Sequence, residues 1–95
     1  MPAYVLADVQ ITDPTQWEDY RARVGPTLDQ YGGKILVRSS KGEVLEGDMQ
    51  PHLLVIAEFA RYQRAIEWYP SPEYAPLIAL RKRAANTQVV LVEGL

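Results

Sequence analysis

Along Tyr4 to Ile11 the side chains alternate, with Val5, Ala7, Val9 and Ile11 in one set and Tyr4, Leu6, Asp8 and Gln10 in the other. A period of two in β-rich residues predicts a strand, and apolar residues in both sets predict one covered on both faces. Thr12-Asp13-Pro14 stops it. Asp13 suits a helix N-cap, Pro14 the first helical position, and Gln16 stands where it completes a capping box. The period then changes: Trp17, Tyr20, Val24, Leu28 and Tyr31 fall on one stripe of an amphipathic helix. Gly25-Pro26 lies inside it and predicts a kink or break, because Pro26 lacks a backbone donor and crowds the carbonyl four residues back. Tyr31-Gly32-Gly33 closes the helix with glycine.

Lys34 to Arg38 reads as a second strand, Ser39 to Gly42 as a turn, and Glu43 to Glu46 as a short extended arm before Gly47-Asp48. Leu53 to Phe59 is the most apolar run and predicts another central strand, interrupted only by Glu58. Arg61 to Tyr69 is helical, with Tyr62, Ala65, Ile66 and Tyr69 on one side, until Pro70 ends it. Ser71 and Pro72 predict a new helix start, although Pro76 delays a regular helix, which begins irregularly or only at Pro76. That helix carries Tyr74, Leu77, Ile78, Arg81, Ala84 and Ala85. Asn86-Thr87 ends it, and Gln88 to Glu93 forms the last strand.

The order is β-α-β-β-α-β, a single α+β domain of ferredoxin-like type over residues 1–95. Right-handed crossovers place both helices on one face of a four-stranded antiparallel sheet. The other face remains rich in Val, Leu, Ile, Ala and Tyr, more apolar surface than a monomer usually exposes. A two-fold homodimer burying sheet against sheet is therefore expected.

Composition removes several function classes. With 47% apolar and 23% charged residues the chain is globular, not disordered. A net charge of -2 argues against a nucleic-acid or anionic-membrane partner. No cysteine is present, which excludes disulfides and thiolate chemistry. Met1-Pro2-Ala3-Tyr4 does not resemble a signal peptide, and no apolar run approaches the roughly 20 residues of a membrane span. The expected setting is cytoplasmic. With one histidine, no acidic cluster, no phosphate loop and no Gly-x-Ser-x-Gly elbow, neither a metal nor a cofactor is expected.

Candidate chemistry gathers at the bend Trp68-Tyr69-Pro70-Ser71-Pro72-Glu73-Tyr74 and the basic run after Leu80. Trp68, Tyr69, Ser71 and Arg81 are candidate ligand-binding residues. Tyr74 is a candidate catalytic phenol, and Arg81 lies two turns on from it. The amides following Ser71 could receive an anion. The competing reading makes the aromatics core and the run Arg81-Lys82-Arg83 a solvated helix end. Trp17 and Tyr20 read as core. His52 is a candidate general base, because its ordinary pKa lies near neutrality, or else a solvated loop histidine. Arg38 is a candidate anion clamp, or a strand-end charge. Asp8 and Glu58 read as paired structural charges.

Ala7-Asp8-Val9, Thr12-Asp13-Pro14, Tyr31-Gly32-Gly33, Leu45-Glu46-Gly47-Asp48, Glu58-Phe59, Trp68-Tyr69-Pro70-Ser71-Pro72-Glu73-Tyr74, Leu80-Arg81 and Leu91-Val92-Glu93-Gly94 together resemble the bacterial family known as domain of unknown function 1330. The resemblance covers essentially the whole chain, and the aromatic-Ser-Pro-Glu-Tyr signature is its most specific part. It implies a dimeric α/β barrel, in which ferredoxin-like protomers pair through their sheets. That superfamily includes cofactor-free monooxygenases, muconolactone isomerases and haem- or stress-related barrels, so no single reaction carries over. Two expectations follow. One is a cofactor-independent isomerase or monooxygenase acting on a small organic acid, with Arg38 or Arg81 orienting the anion and a tyrosine or His52 handling the proton. The other is a non-catalytic small-molecule binder or stress-associated dimer.

Overall fold

In the computed structural model, which describes residues 1–95, the chain forms β1 (Ala3–Ile11), α1 (Pro14–Gln30), β2 (Gly33–Ser39), β3 (Leu53–Phe59), α2 (Tyr62–Trp68), α3 (Ala75–Ala84) and β4 (Ala85–Glu93). The strands order as β2-β3-β1-β4, every pair antiparallel, so the two most apolar strands are central. The helices all lie on one sheet face, giving the expected ferredoxin-like α+β fold.

Local chemistry sets the boundaries. Asp13 caps α1, its Oδ1 accepting from the Gln16 backbone N–H at 3.1 Å. The Gln16 side chain does not complete the reciprocal box. Its amide donates to the other Asp13 oxygen, and its carbonyl accepts from Arg83 Nε at 3.0 Å. Contrary to expectation, α1 runs through Pro26 without a break. The Thr27 hydroxyl donates to the Val24 carbonyl at 2.7 Å and accepts from Trp68 Nε1 at 3.1 Å, so packing against α2 holds the helix across the lost bond. Gly32, at φ 75°, turns the chain out of α1 into β2.

Two further expectations need correction, and one holds. Residues 43–46 form no extended arm, because positions 41–50 are exposed throughout and have no face to rest on. The split of the second helical region at Pro70 into two helices is as expected. The Ser71 hydroxyl accepts from the Tyr74 N–H at 3.1 Å, and α3 starts at Ala75 with Pro76 in its first turn, where a missing donor costs nothing. The final strand starts at Ala85, directly after α3, because Thr12 and Asp13 N–H both donate to the Ala84 carbonyl and pin the end of α3 beside the end of β1.

The core lies between sheet and helices, with Phe59, Tyr74 and Leu28 fully buried. On the sheet, β1 contributes Ala3, Val5, Ala7 and Val9, and β3 contributes Val55, Ala57 and Phe59. One irregularity matters for function. Ile35 pairs with Ala57, yet Val37 pairs with Ile56 and Arg38 with Val55, so Leu36 is an extra residue in a β-bulge. Uninterrupted alternation from Ile35 would send Arg38 to the open face. The bulge puts it on the helix side, opposite Val55.

Candidate functional site

Between the sheet and the helices lies a cavity of ≈ 60 Å³, with 13 of its 16 lining residues hydrophobic. Its floor is small and aliphatic, from Val5, Ala7 and Val9 of β1 and Val55 and Ala57 of β3. Trp17, Tyr20 and Val24 of α1 face that floor, along with Trp68, Tyr74 and Arg81. The space is narrow and almost wholly apolar. Its charged lining is Arg21, Arg38 and Arg81, with no carboxylate and no histidine.

Arg81 defines the chemistry. It is 5% exposed, yet no acidic side chain pairs with it. A buried guanidinium without a counter-ion is costly, so its neighbours must compensate. Two helical turns place it over Tyr74, where Nη1 donates to the phenol oxygen at 2.8 Å. Tyr74 Oη lies 2.8 Å from Tyr20 Oη. Arginine cannot accept, so one phenol donates to the other and the second O–H proton finds no acceptor within the cluster. Arg81 Nε is also buried without a partner. The cluster therefore carries a surplus of donors. Burial, reinforced by Tyr74, pushes the Tyr20 phenol well up, and burial also pushes Tyr74 up despite the opposing bonds to Tyr20 and Arg81. Both stay protonated at neutral pH and act as donors rather than bases. The site fits an oxygen-centred anion and not a cation.

Rigid supports fix this cluster. Trp68 stacks on Tyr74 with ring centroids 3.9 Å apart, and Trp17 stacks on Tyr20 at 5.0 Å. Trp68 thus lines the cavity and holds the phenol in place. Arg38 is exposed and lines the same cavity through the bulge.

Three candidates from the sequence stand elsewhere. Tyr69 is outside the cavity lining and 41% exposed, with its ring 5.9 Å from that of Tyr74, yet its phenol lies beside the Arg81 guanidinium and favours its charged form. Ser71 is buried, but its hydroxyl is taken by the Tyr74 amide, while Ser71 O accepts from Ala75 N at 2.8 Å. The amides of this bend are thus spent on the turn rather than offered to an anion. His52 is not brought to the cavity. It lies with Asp8 on the opposite sheet face, its N–H donating to Asp8 Oδ1 at 2.6 Å and its Nδ1 3.0 Å from Oδ2. These bonds hold the Asp8 carboxyl below its usual range. Glu58 pairs with Lys34 at 3.6 Å on the surface. The reading of Arg81 as part of a solvated run fails because only Lys82 and Arg83 are exposed. Sequence reasoning missed Tyr20 and Arg21 as lining residues. Tyr20 carried no signal beyond being a phenol on an otherwise aliphatic and aromatic stripe.

Comparison with solved structures places this architecture among ferredoxin-like proteins. A protein of unknown function from Rhodopseudomonas palustris, RPA0582, matches with a TM-score of 0.77 at 20% identity over 99% of this chain and 82% of that one. SnoaB, a cofactor-independent oxygenase from Streptomyces nogalater, matches at 0.72 and 12% identity over 99% and 93%. A dabb family protein with a ferredoxin-like fold from Mesorhizobium loti matches at 0.66 and 10% identity over 99% and 97%. No curated protein matches the chain. These likenesses establish the fold. The sequence itself matches the family model over residues 2–95, and so the chain belongs to the domain of unknown function family DUF1330.

Proposed function

We propose that the cavity binds a small, partly apolar organic acid and stabilises negative charge on one of its oxygens, as a cofactor-independent isomerase or monooxygenase does with an enolate. The observation that carries this reading is Arg81, buried, without a carboxylate and with Nε free. Enolisation and its delocalised anion are common to both reaction types, and preorganised donors aimed at a developing oxyanion in a dry site are the largest catalytic resource a protein has without a cofactor. Arg81 supplies the charge, Tyr74 is held by it, and the leftover phenol proton of the Tyr74–Tyr20 pair is a second donor. The aliphatic floor excludes water and packs the apolar body of the ligand.

A second reading is favoured by one observation: the wall holds no base. Neither a carboxylate nor a histidine lines it, and both buried phenols are protonated. A non-catalytic binder needs nothing more than this. An enzyme with this wall takes its substrate already ionised.

The test is a thermal-shift series with aromatic and aliphatic carboxylates and enols, on wild type and Arg81→Met. A ligand at 100 times its Kd stabilises the fold by about 2.7 kcal/mol. Binding that disappears in the variant supports the anion site, and turnover of the bound compound then separates enzyme from binder. Absence of any shift across the series sinks both.

The proposed assembly is a homodimer through the open sheet faces. Leu6, Val37, Val90 and Val92 are 36%, 38%, 57% and 47% exposed on that side, an apolar surface that favours association.

A further inference from the structure

The positive charge of the cavity is divided between two ends. Arg81 also borders a surface depression with Thr87 and Val89 of β4, whereas Arg38 borders one with Ser39 of β2 and Leu53 of β3. β2 and β4 are the outer strands of the sheet, separated by three strand spacings, or roughly 14 Å between backbones. The cavity runs between these sides, because Ile35, Arg38 and Val89 all line it. The buried end is held by Arg81 with its unpartnered Nε. The outer end is held by Arg38, which makes no hydrogen bond or ion pair and which the bulge at Leu36 turns inward, beside Arg21 of α1. Arg21 is engaged by Glu18 at 3.6 Å. Between the ends the wall is apolar; the one carboxylate at the outer mouth, Glu18, is paired with Arg21, and Lys41 stands there as a further cation.

The geometry points to a two-headed ligand: a short apolar body with an anionic oxygen group at each end, one seated at Arg81 and the other at Arg38. This inference rests on the anion site proposed above and adds the second head. The two ends differ in kind. Arg81 is dry and its donors are fixed, so it selects for a head with an accepting oxygen. Arg38 is wet, so it contributes a weaker, salt-sensitive attraction that orients the molecule. A single-headed acid occupies the inner end alone and leaves Arg38 free.

Matched probes test this: benzoate against terephthalate, and phenylacetate against 1,4-phenylenediacetate, by titration calorimetry on the full chain at low and moderate salt. The expected result is that at least one dianion binds wild type about threefold to fivefold more tightly than its monoanion, with the advantage shrinking as salt rises. In Arg38→Ala the ratio of dianion to monoanion affinity falls to about one. Arg38→Ala alters an exposed side chain, so its fold is preserved and circular dichroism verifies it. Monoanions that bind while no dianion gains would overturn the second head and leave the inner site standing. Failure of all four probes on wild type would remove the inner site and this inference together. A dianion advantage that survives in Arg38→Ala would also overturn it, because the outer head would then be held by something else.

Discussion

Arg81 and the two phenols beside it show how burial changes the meaning of a residue. In water a guanidinium and a phenol barely interact. Here Tyr74 Oη accepts from Arg81 Nη1 at 2.8 Å and leads the compensation for a buried charge, with the Tyr69 phenol contributing. Tyr74→Phe removes that acceptor and also strands the Tyr20 hydroxyl. It should lower stability by about 1–3 kcal/mol in urea titrations, the cost of leaving buried polar groups unpaired. Tyr20→Phe leaves the Arg81–Tyr74 bond intact and should cost less than about 1.5 kcal/mol. The reverse ranking would mean that Arg81 is satisfied by something other than Tyr74. The sequence carried half of this arrangement. The seven-residue spacing puts Tyr74 and Arg81 on one helix face, and that was readable. Tyr20 was not, because a tyrosine on an apolar stripe looks the same whether its hydroxyl reaches solvent, backbone or another phenol 54 positions away.

At the scale of elements, periodicity located every strand and helix, and the departures came where neighbours outweighed local preference. Pro26 should break α1, yet Thr27 ties that turn to Trp68 and the helix continues. The bulge in β2 has no mark in the sequence Lys34-Ile-Leu-Val-Arg38, since each of those residues suits a regular strand. Register is set by the partner strand, and only the pairing with β3 shows that Leu36 is extra and that Arg38 turns inward. Two glycines make the contrast between local and tertiary control measurable. Gly25 lies within α1 at an ordinary φ with open space around a would-be Cβ, but it precedes Pro26, whose Cδ crowds a preceding Cβ in a helix. The propensity gain of Gly25→Ala is therefore offset, and stability should change by less than about 0.5 kcal/mol. Gly33 starts β2 with its would-be Cβ 2.8 Å from the Phe59 ring, which is fully buried and cannot yield. Gly33→Ala should therefore lower stability by about 1–3 kcal/mol. Equal effects in the two variants, measured by urea midpoint, would contradict this picture of the α1–β2 junction.

The whole molecule is a slab of 34 × 32 × 16 Å, with one layer of helices on one layer of sheet and the second sheet face bare. Two layers suffice to bury a core, but the uncovered face here is apolar along its middle, where Leu6 lies opposite both Ile56 and Val90. A face of that extent can supply the roughly 800 Å² per partner that a standard interface buries. The apolar open face was legible from alternation alone, since each central strand is apolar in both of its alternating sets. Light scattering at micromolar concentration should accordingly give twice the 10.7 kDa chain mass. Val90, 57% exposed on the open face, is the position to perturb, because Val90→Glu places a charge where the partner sheet would desolvate it. The variant should run as a monomer with its circular dichroism preserved. Its cavity lies on the helix side of the sheet, away from Val90, so its affinity for a carboxylate probe should match that of wild type. A wild-type monomer would remove the dimer outright. A monomeric but folded Val90→Glu that no longer binds the probe would mean that association and recognition are coupled through the sheet, and that the site is complete only in the pair.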